Sequence, residues 1–197
     1  MKILLLCLHA FETMEMSPFI DIFGWVRDDF GCDIEVVTCG YQRKVESTFG
    51  VKIEVDAVLA DINTKEYDAL AIPGGFQEYG FYNEAYQEQT MQLIQAFHRE
   101  HKPIASVCVA AFPLAKSGIL EGKKVTTYHL DGGKRRNELT KVGAMLGNEW
   151  MEVDDNIITS SCPRTAPEVA FELLKMLTSE EKMLQVRKAM GYEGNTL

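Results

Sequence analysis

The sequence has no Cys-x-x-Cys pair, no apolar run long enough to cross a bilayer and no excess of basic charge. Each absence removes a class of protein. The five cysteines (Cys7, Cys32, Cys39, Cys108 and Cys162) are scattered and odd in number, which fits reduced thiols rather than a disulfide framework or a zinc site. A formal net charge of −9 lacks the basic footprint of a nucleic-acid binder and reads as a solvated acidic surface. The apolar stretch from Ile3 to Leu8 is shorter than the roughly 7–15 residues of a signal-peptide core, and no small-residue cleavage site follows it. No other apolar run approaches the roughly 18 residues of a membrane span. These absences imply a cytoplasmic protein with neither a membrane nor a nucleic-acid partner, whose first apolar stretch is a buried strand. No linker, internal repeat or G-x-G-x-x-G fingerprint breaks the chain, so residues 1–197 read as one domain.

What is present is an alternation. Apolar runs predict strands at 2–8, 33–39, 67–72, 102–108, 123–127 and 156–160. Amphipathic stretches predict helices at 14–30, 83–101, 109–117, 134–142, 167–177 and 180–190. Continuous apolar strands such as Ala69-Leu70-Ala71-Ile72 are those covered on both faces. The class is therefore α/β: a flavodoxin-like or Rossmann-like sandwich, a mostly parallel sheet with helices on both faces. Residues 42–62 break the rhythm, where 45–48 and 52–55 flank Phe49-Gly50 as a small hairpin or bulged excursion at the sheet edge. Gly31 and Gly118 read as helix stops, Asn83 and Thr165 as N-caps, and Pro18 as a first-turn proline. Trp25 and Trp150 read as ordinary packing.

Three short motifs carry chemistry. Ligands of open parallel sheets bind outside the carboxyl ends of the strands. Cys108 falls at such an end, just before a helix, where free amides and the helix dipole favour a thiolate. Position alone leaves a buried structural cysteine equally open. Glu15 lies seven residues past the first predicted strand and, in a dry site, shares a proton with a neighbouring thiol. Its alternative is an acid favoured near a helix start. Pro73-Gly74-Gly75 forms an open turn whose amides suit an anion, or simply a turn. All three lie just past different strands, where one pocket forms.

Together these segments resemble the DJ-1/PfpI superfamily, the ThiJ-like relatives of the glutamine amidotransferase domain. Ala10-Phe11-Glu12-Thr13-Met14-Glu15 through Ile20-Asp21-Ile22-Phe23 resembles the family's acidic segment, with Glu15 at its acid position. Tyr67-Asp68-Ala69-Leu70-Ala71-Ile72-Pro73-Gly74-Gly75 resembles its strand and Pro-Gly-Gly turn. Lys102-Pro103-Ile104-Ala105 through Cys108 to Gly118-Ile119-Leu120-Glu121-Gly122-Lys123 resembles its cysteine segment, and 156–160 with 170–174 its final strand and helix. The resemblance implies Cys108 as the reactive residue, Glu15 as its partner, Gly74, Gly75 and Val109 around an oxyanion, and Tyr128 and Cys162 at the pocket edge. It implies no cofactor, no metal and a homodimer.

Departures narrow the chemistry. DJ-1-like members carry a His after the Thr-Thr pair, whereas here Thr126-Thr127 is followed by Tyr128 and the His is displaced to His129, which is either a base reaching Cys108 or an exposed loop histidine. PfpI-like proteases carry a His directly after the Cys, where this chain has Val109. Relatives reading Ser-Arg-Gly-Pro differ from Ser160-Ser161-Cys162-Pro163, which removes a charge and adds a thiol. The expected function is a cysteine-dependent hydrolase or lyase acting on a small carbonyl or amide compound, of amidase, glyoxalase or deglycase type. The competing expectation is a non-catalytic oxidative-stress sensor or chaperone that uses oxidation of Cys108. The substrate is not written in the sequence.

Overall fold

The leucine-rich start of the chain is covered on both sides. Ile3, Leu4, Leu5 and Leu6 are wholly inaccessible, so β1 (Lys2–Leu6) is a central strand. The computed structural model describes residues 1–192. After β1 come α1 (Thr13–Phe30), β2 (Glu35–Gly40), β3 (Lys44–Glu46), β4 (Lys52–Glu54), β5 (Ala57–Val58), β6 (Ala69–Ile72), α2 (Phe81–Ala85) and α3 (Glu88–Arg99). Then follow β7 (Ile104–Ser106), α4 (Ala111–Lys116), β8 (Lys124–Val125), α5 (Lys134–Thr140), β9 (Met145–Leu146), β10 (Met151–Asp154), β11 (Ile157–Ser160), α6 (Ala166–Leu177) and α7 (Glu180–Ala189).

Seven strands form the main sheet in the order β10-β11-β7-β6-β1-β2-β5, all parallel except β10, which runs against β11. Helices cover both faces, α1, α6 and α7 as one packed group and α3 with α4 as another. A bidentate ion pair between Arg187 and Glu168, at 2.5 and 2.8 Å, fastens α7 to α6. Order matters more than size for the site. It sets β7, β6 and β1 side by side, so the segments leaving their carboxyl ends converge.

Several boundaries depart from the periodicity. The helix predicted at 83–101 splits into α2 and α3, because Gln87 is extended (ψ 151°) and caps α3 in place of Asn83, which lies inside α2. Thr165 does occupy the N-cap of α6, but its hydroxyl donates to the Cys162 carbonyl at 2.6 Å instead of capping. Because α1 begins at Thr13, Pro18 sits in its second turn. Gly31 does stop α1, in the left-handed conformation at φ 66°. The hairpin of residues 42–62 is a separate antiparallel pair with Val45 opposite Ile53, rather than an edge of the main sheet. Trp25 is 40% exposed and so is not a core residue.

The hairpin and the sheet edge are both tied by side chains. Thr48 donates its hydroxyl to the Ala10 carbonyl at 2.6 Å and its amide to the Phe11 carbonyl at 2.9 Å. Ala10 itself donates to the Glu46 carbonyl at 2.8 Å and is left-handed at φ 59°. At the outer edge, β5 pairs with only Cys39 and Gly40 of β2. Just before them, Asp56 accepts both the Thr38 amide at 2.9 Å and the Thr38 hydroxyl at 2.6 Å.

Candidate active site

The site grows from three chain reversals. β7 ends at Ser106, and two residues later Cys108 adopts φ 57° before a 3-10 turn leads into α4. A left-handed conformation costs a non-glycine residue about 1–2 kcal/mol, so the surrounding structure must hold it. Thr127, from the segment after β8, does part of this by donating its hydroxyl to the Cys108 carbonyl at 2.8 Å. Cys108 is 8% exposed, and the small residues Ala110 and Ala111 let the chain turn without obstruction.

Glu15 stands in the first turn of α1 and is only 1% exposed. Its Oε2 accepts the Gly74 amide at 2.6 Å. Oε1 has no hydrogen-bond partner among the described residues, and the carboxyl lies close enough to the Cys108 sulfur for each to shift the other's titration. The Pro-Gly-Gly turn is therefore divided. Gly74 holds Glu15, and the amide of Gly75 takes no protein acceptor among the described residues. This corrects the expectation that both amides face a ligand. Both glycines are required by space. A Cβ at Gly74 would lie 2.8 Å from Glu15 Oε2, and one at Gly75 would lie 2.2 Å from the Ala10 carbonyl oxygen.

The electrostatics revise a second expectation. Burial pushes the Glu15 carboxyl up from 4.5 to about 8, against the downward pull of the Gly74 amide and the Cys108 sulfur. Burial pushes the Cys108 thiol up as well, and a charge on Glu15 adds to the rise. The Val109 amide is the counterweight. A helix-stabilised thiolate is thus not what the fold builds, because α4 spans only Ala111–Lys116 and begins three residues after the sulfur. The two groups instead form a proton-sharing pair in a dry pocket.

The sign of this effect on stability follows from the proton count. The folded chain holds the Glu15 proton up to about pH 8, whereas an unfolded carboxyl releases it near 4.5, so stability falls as pH rises between these values. Glu15→Gln keeps an acceptor for Gly74 and carries no charge. The variant should melt progressively higher than the native protein from pH 5 to pH 9, with a difference on the order of a few kcal/mol at the alkaline end. Parallel stability curves in a pH series of thermal melts would show that Glu15 is not the group holding the proton.

Cys108 and Glu15 open into a pocket of about 680 Å³. Gly75, Val109, Tyr128 and Cys162 line it as expected, and Trp150, Phe76, Arg135 and Arg164 line it unexpectedly. Arg164 lies over the Trp150 ring at 5.1 Å, and Arg135 over the Tyr128 ring at 5.5 Å while pairing with Asp131 at 3.1 Å. Phe76 and Arg164 adjoin Gly75 and Cys162, which the sequence does mark, whereas Trp150 and Arg135 come from segments that only tertiary folding brings here. Trp150 is a wall of the pocket and not simple packing. His129, weighed as a base, does not line it. The imidazole leans on Trp150 at 4.9 Å and buries Nδ1 without a hydrogen-bond partner among the described residues. Among the described residues, no group of three or more His, Cys, Asp or Glu side chains is arranged to hold a metal ion, and no helix is long and apolar enough to cross a membrane.

The DJ-1/PfpI family profile matches residues 1–176. An uncharacterised protein of Methanocaldococcus jannaschii is 33% identical over 77% of this chain and 72% of its own length. The Bacillus subtilis protein YraA, provisionally named a cysteine protease, is 25% identical over 89% of this chain and 98% of its own. Among solved structures, Drosophila melanogaster DJ-1beta superposes with a TM-score of 0.82 at 25% identity, covering 96% of either chain. Oxidized Toxoplasma gondii DJ-1 shares the fold with a TM-score of 0.81 at 24% identity, over 98% of this chain and 99% of its own. With a profile that spans most of its length and a relative at one-third identity, the chain belongs to the DJ-1/PfpI family.

Proposed function

We propose that the protein is a cysteine-dependent hydrolase or lyase acting on a small carbonyl compound, with Cys108 as nucleophile and Glu15 as its proton acceptor and donor. One observation carries the reading: a left-handed cysteine and a fully buried carboxyl, each shifting the other's titration, on the lining of one pocket of about 680 Å³. Burial moves the Glu15 carboxyl toward neutral pH, as a proton acceptor working there requires, and the Cys108 thiol, pushed the other way, depends on that acceptor.

In the proposed step, the Cys108 sulfur forms a bond to the carbonyl carbon while Glu15 takes the thiol proton. The carbonyl π electrons move to oxygen, for which the amide of Gly75, on the pocket lining, is the proposed donor. With an aldehyde, Glu15 returns the proton to that oxygen and a hemithioacetal results. With an amide, the proton goes to the departing amine and a thioester remains for water to cleave. No histidine is needed. The homodimer implied by family resemblance belongs to the same reading, and sedimentation of the reduced protein tests it.

Glu15 accepts a proton only when ionised. Alkylation of Cys108 by iodoacetamide should therefore rise with pH around a midpoint near about 8. A midpoint below pH 6 would restore the helix-stabilised thiolate. The direct test incubates the protein with a small 2-oxoaldehyde and with short aliphatic amides, and follows products by NMR. Turnover of either class supports the proposal. No turnover of any probe, together with selective peroxide oxidation of Cys108, would replace it with the sensor reading.

A further inference from the structure

The pocket contains a second thiol that the proposed mechanism does not use. Cys162 is 5% exposed and lines the same walls as Cys108. The two cysteines leave adjacent parallel strands, β7 and β11, whose register pairs Ser106 with Thr159. Cys108 is two residues past the end of β7, and Cys162 is two past the end of β11. Neighbouring strands run about 4.8 Å apart, and a disulfide spans Cα separations of about 4.4–6.8 Å. Adjacent strands thus bring both residues to the same end of the sheet and onto one pocket wall, and bridging requires their Cα atoms to come within that range.

Cys162 is also held in place. It occupies the N-cap of the 3-10 turn that precedes α6, and its sulfur accepts the Thr165 amide. Ser161 donates its hydroxyl to the same sulfur at 3.7 Å. A charge on Cys162 raises the Cys108 thiol, so the sulfurs lie within electrostatic reach of each other. The remaining thiols do not share this setting. Cys7 and Cys39 are inaccessible within the sheet, and Cys32 is half-buried at the far end of α1, away from the pocket.

We infer that Cys162 is a resolving cysteine, and that the pocket reduces a small hydroperoxide by closing a Cys108–Cys162 disulfide. The inference rests on Cys108 being the reactive thiol proposed above. In the first step the Cys108 sulfur bonds to the distal peroxide oxygen and the O–O bond breaks. Glu15 relays the thiol proton to the departing hydroxide, which leaves as water with a Cys108 sulfenic acid behind. In the second step the Cys162 sulfur attacks the Cys108 sulfur. The S–S bond forms, the S–O bond breaks, and the hydroxide takes the Cys162 proton as a second water. The peroxide is reduced by two electrons and the thiol pair is oxidised by two. An external thiol resets the pocket by exchange. Departure from the family's Ser-Arg-Gly-Pro pattern thereby acquires a chemical meaning, because the added thiol diverts Cys108 from irreversible oxidation.

The test treats the reduced full-length protein with one equivalent of hydrogen peroxide and maps peptides without reduction. The expected result is a Cys108–Cys162 linked peptide, a mass loss of two hydrogens and reversal by dithiothreitol. Cys162→Ser keeps an N-cap acceptor, since Ser is among the preferred caps, and so should fold. In that variant Cys108 should proceed to sulfinic acid at least about tenfold faster than in the native protein. Sulfinic acid at equal rates in both proteins, with Cys108 still open to iodoacetamide, would overturn the inference and leave the proposed nucleophile standing. A Cys108 inert to both peroxide and iodoacetamide would overturn both.

Discussion

Replacing Cys108 by Ser should lower kcat/KM toward the best carbonyl substrate by at least about 10³-fold while moving the melting temperature by only a few degrees. The loss follows from the pair. Serine occupies nearly the same volume and tolerates the same turn, so φ 57° at the strand end is retained. Its hydroxyl, however, is far less acidic than a thiol, and a buried carboxyl already titrating at about 8 cannot remove that proton effectively. Steady-state kinetics on the native and variant proteins, with a melt of each, measure both halves. Turnover within tenfold of native would remove Cys108 from the chemistry.

The largest structural effect should come from Gly75→Ala. The new methyl would meet the Ala10 carbonyl oxygen at 2.2 Å and the Phe81 ring at 2.5 Å. Neither can retreat easily. The Ala10 carbonyl is held by the Thr48 hydroxyl at 2.6 Å, and Phe81 is wholly buried. Overpacking against backbone of this kind should destabilise the fold by about 3 kcal/mol, read as a lower urea midpoint at unchanged slope. Gly74→Ala makes the informative contrast. Its methyl falls 2.8 Å from both Glu15 Oε2 and the Val107 carbonyl oxygen and 3.1 Å from the Val109 amide, so it disturbs the carboxyl and the cysteine turn and should remove activity as well as stability. An unaltered urea midpoint for Gly75→Ala would mean that the first strand's end is looser than its hydrogen bonds imply.

Legibility in the sequence followed the range of the interactions. The central strands could be read because Ile3 to Leu6 and Ala69 to Ile72 are buried on both faces, which leaves uninterrupted apolar runs. Cys108, Glu15 and the Gly74-Gly75 turn were legible because each sits at a strand end, a position that local pattern marks. β5 and β9, two residues each, leave no periodicity to detect, and β10 carries Glu152 and Asp154 among its four residues. The break between α2 and α3 was hidden by a continuous amphipathic pattern across Tyr86 and Gln87. The direction of the Cys108 titration was misread because a helix was assumed to start at the sulfur, whereas burial dominates and the helix is short. Trp150 reaches the pocket from the start of β10, beside the end of β11, and nothing near it in sequence announces it.

The Asp56 clasp on Thr38 has a consequence for how copies of this chain behave when crowded. An exposed strand edge offers unpaired amides that another chain can adopt as a template for intermolecular β-pairing. Here the outermost strand is two residues long, and the amide next in line on β2 is already bound to a carboxylate at 2.9 Å. Opening that edge would also strip Asp56 of the Thr38 hydroxyl, a group it holds at 2.6 Å. At the opposite border β10 presents the acidic residues Glu152 and Asp154, which bind Lys124 and Lys123. A sheet of seven strands is thereby finished on both borders by carboxylates, which makes the folded chain a poor seed for fibrillar growth.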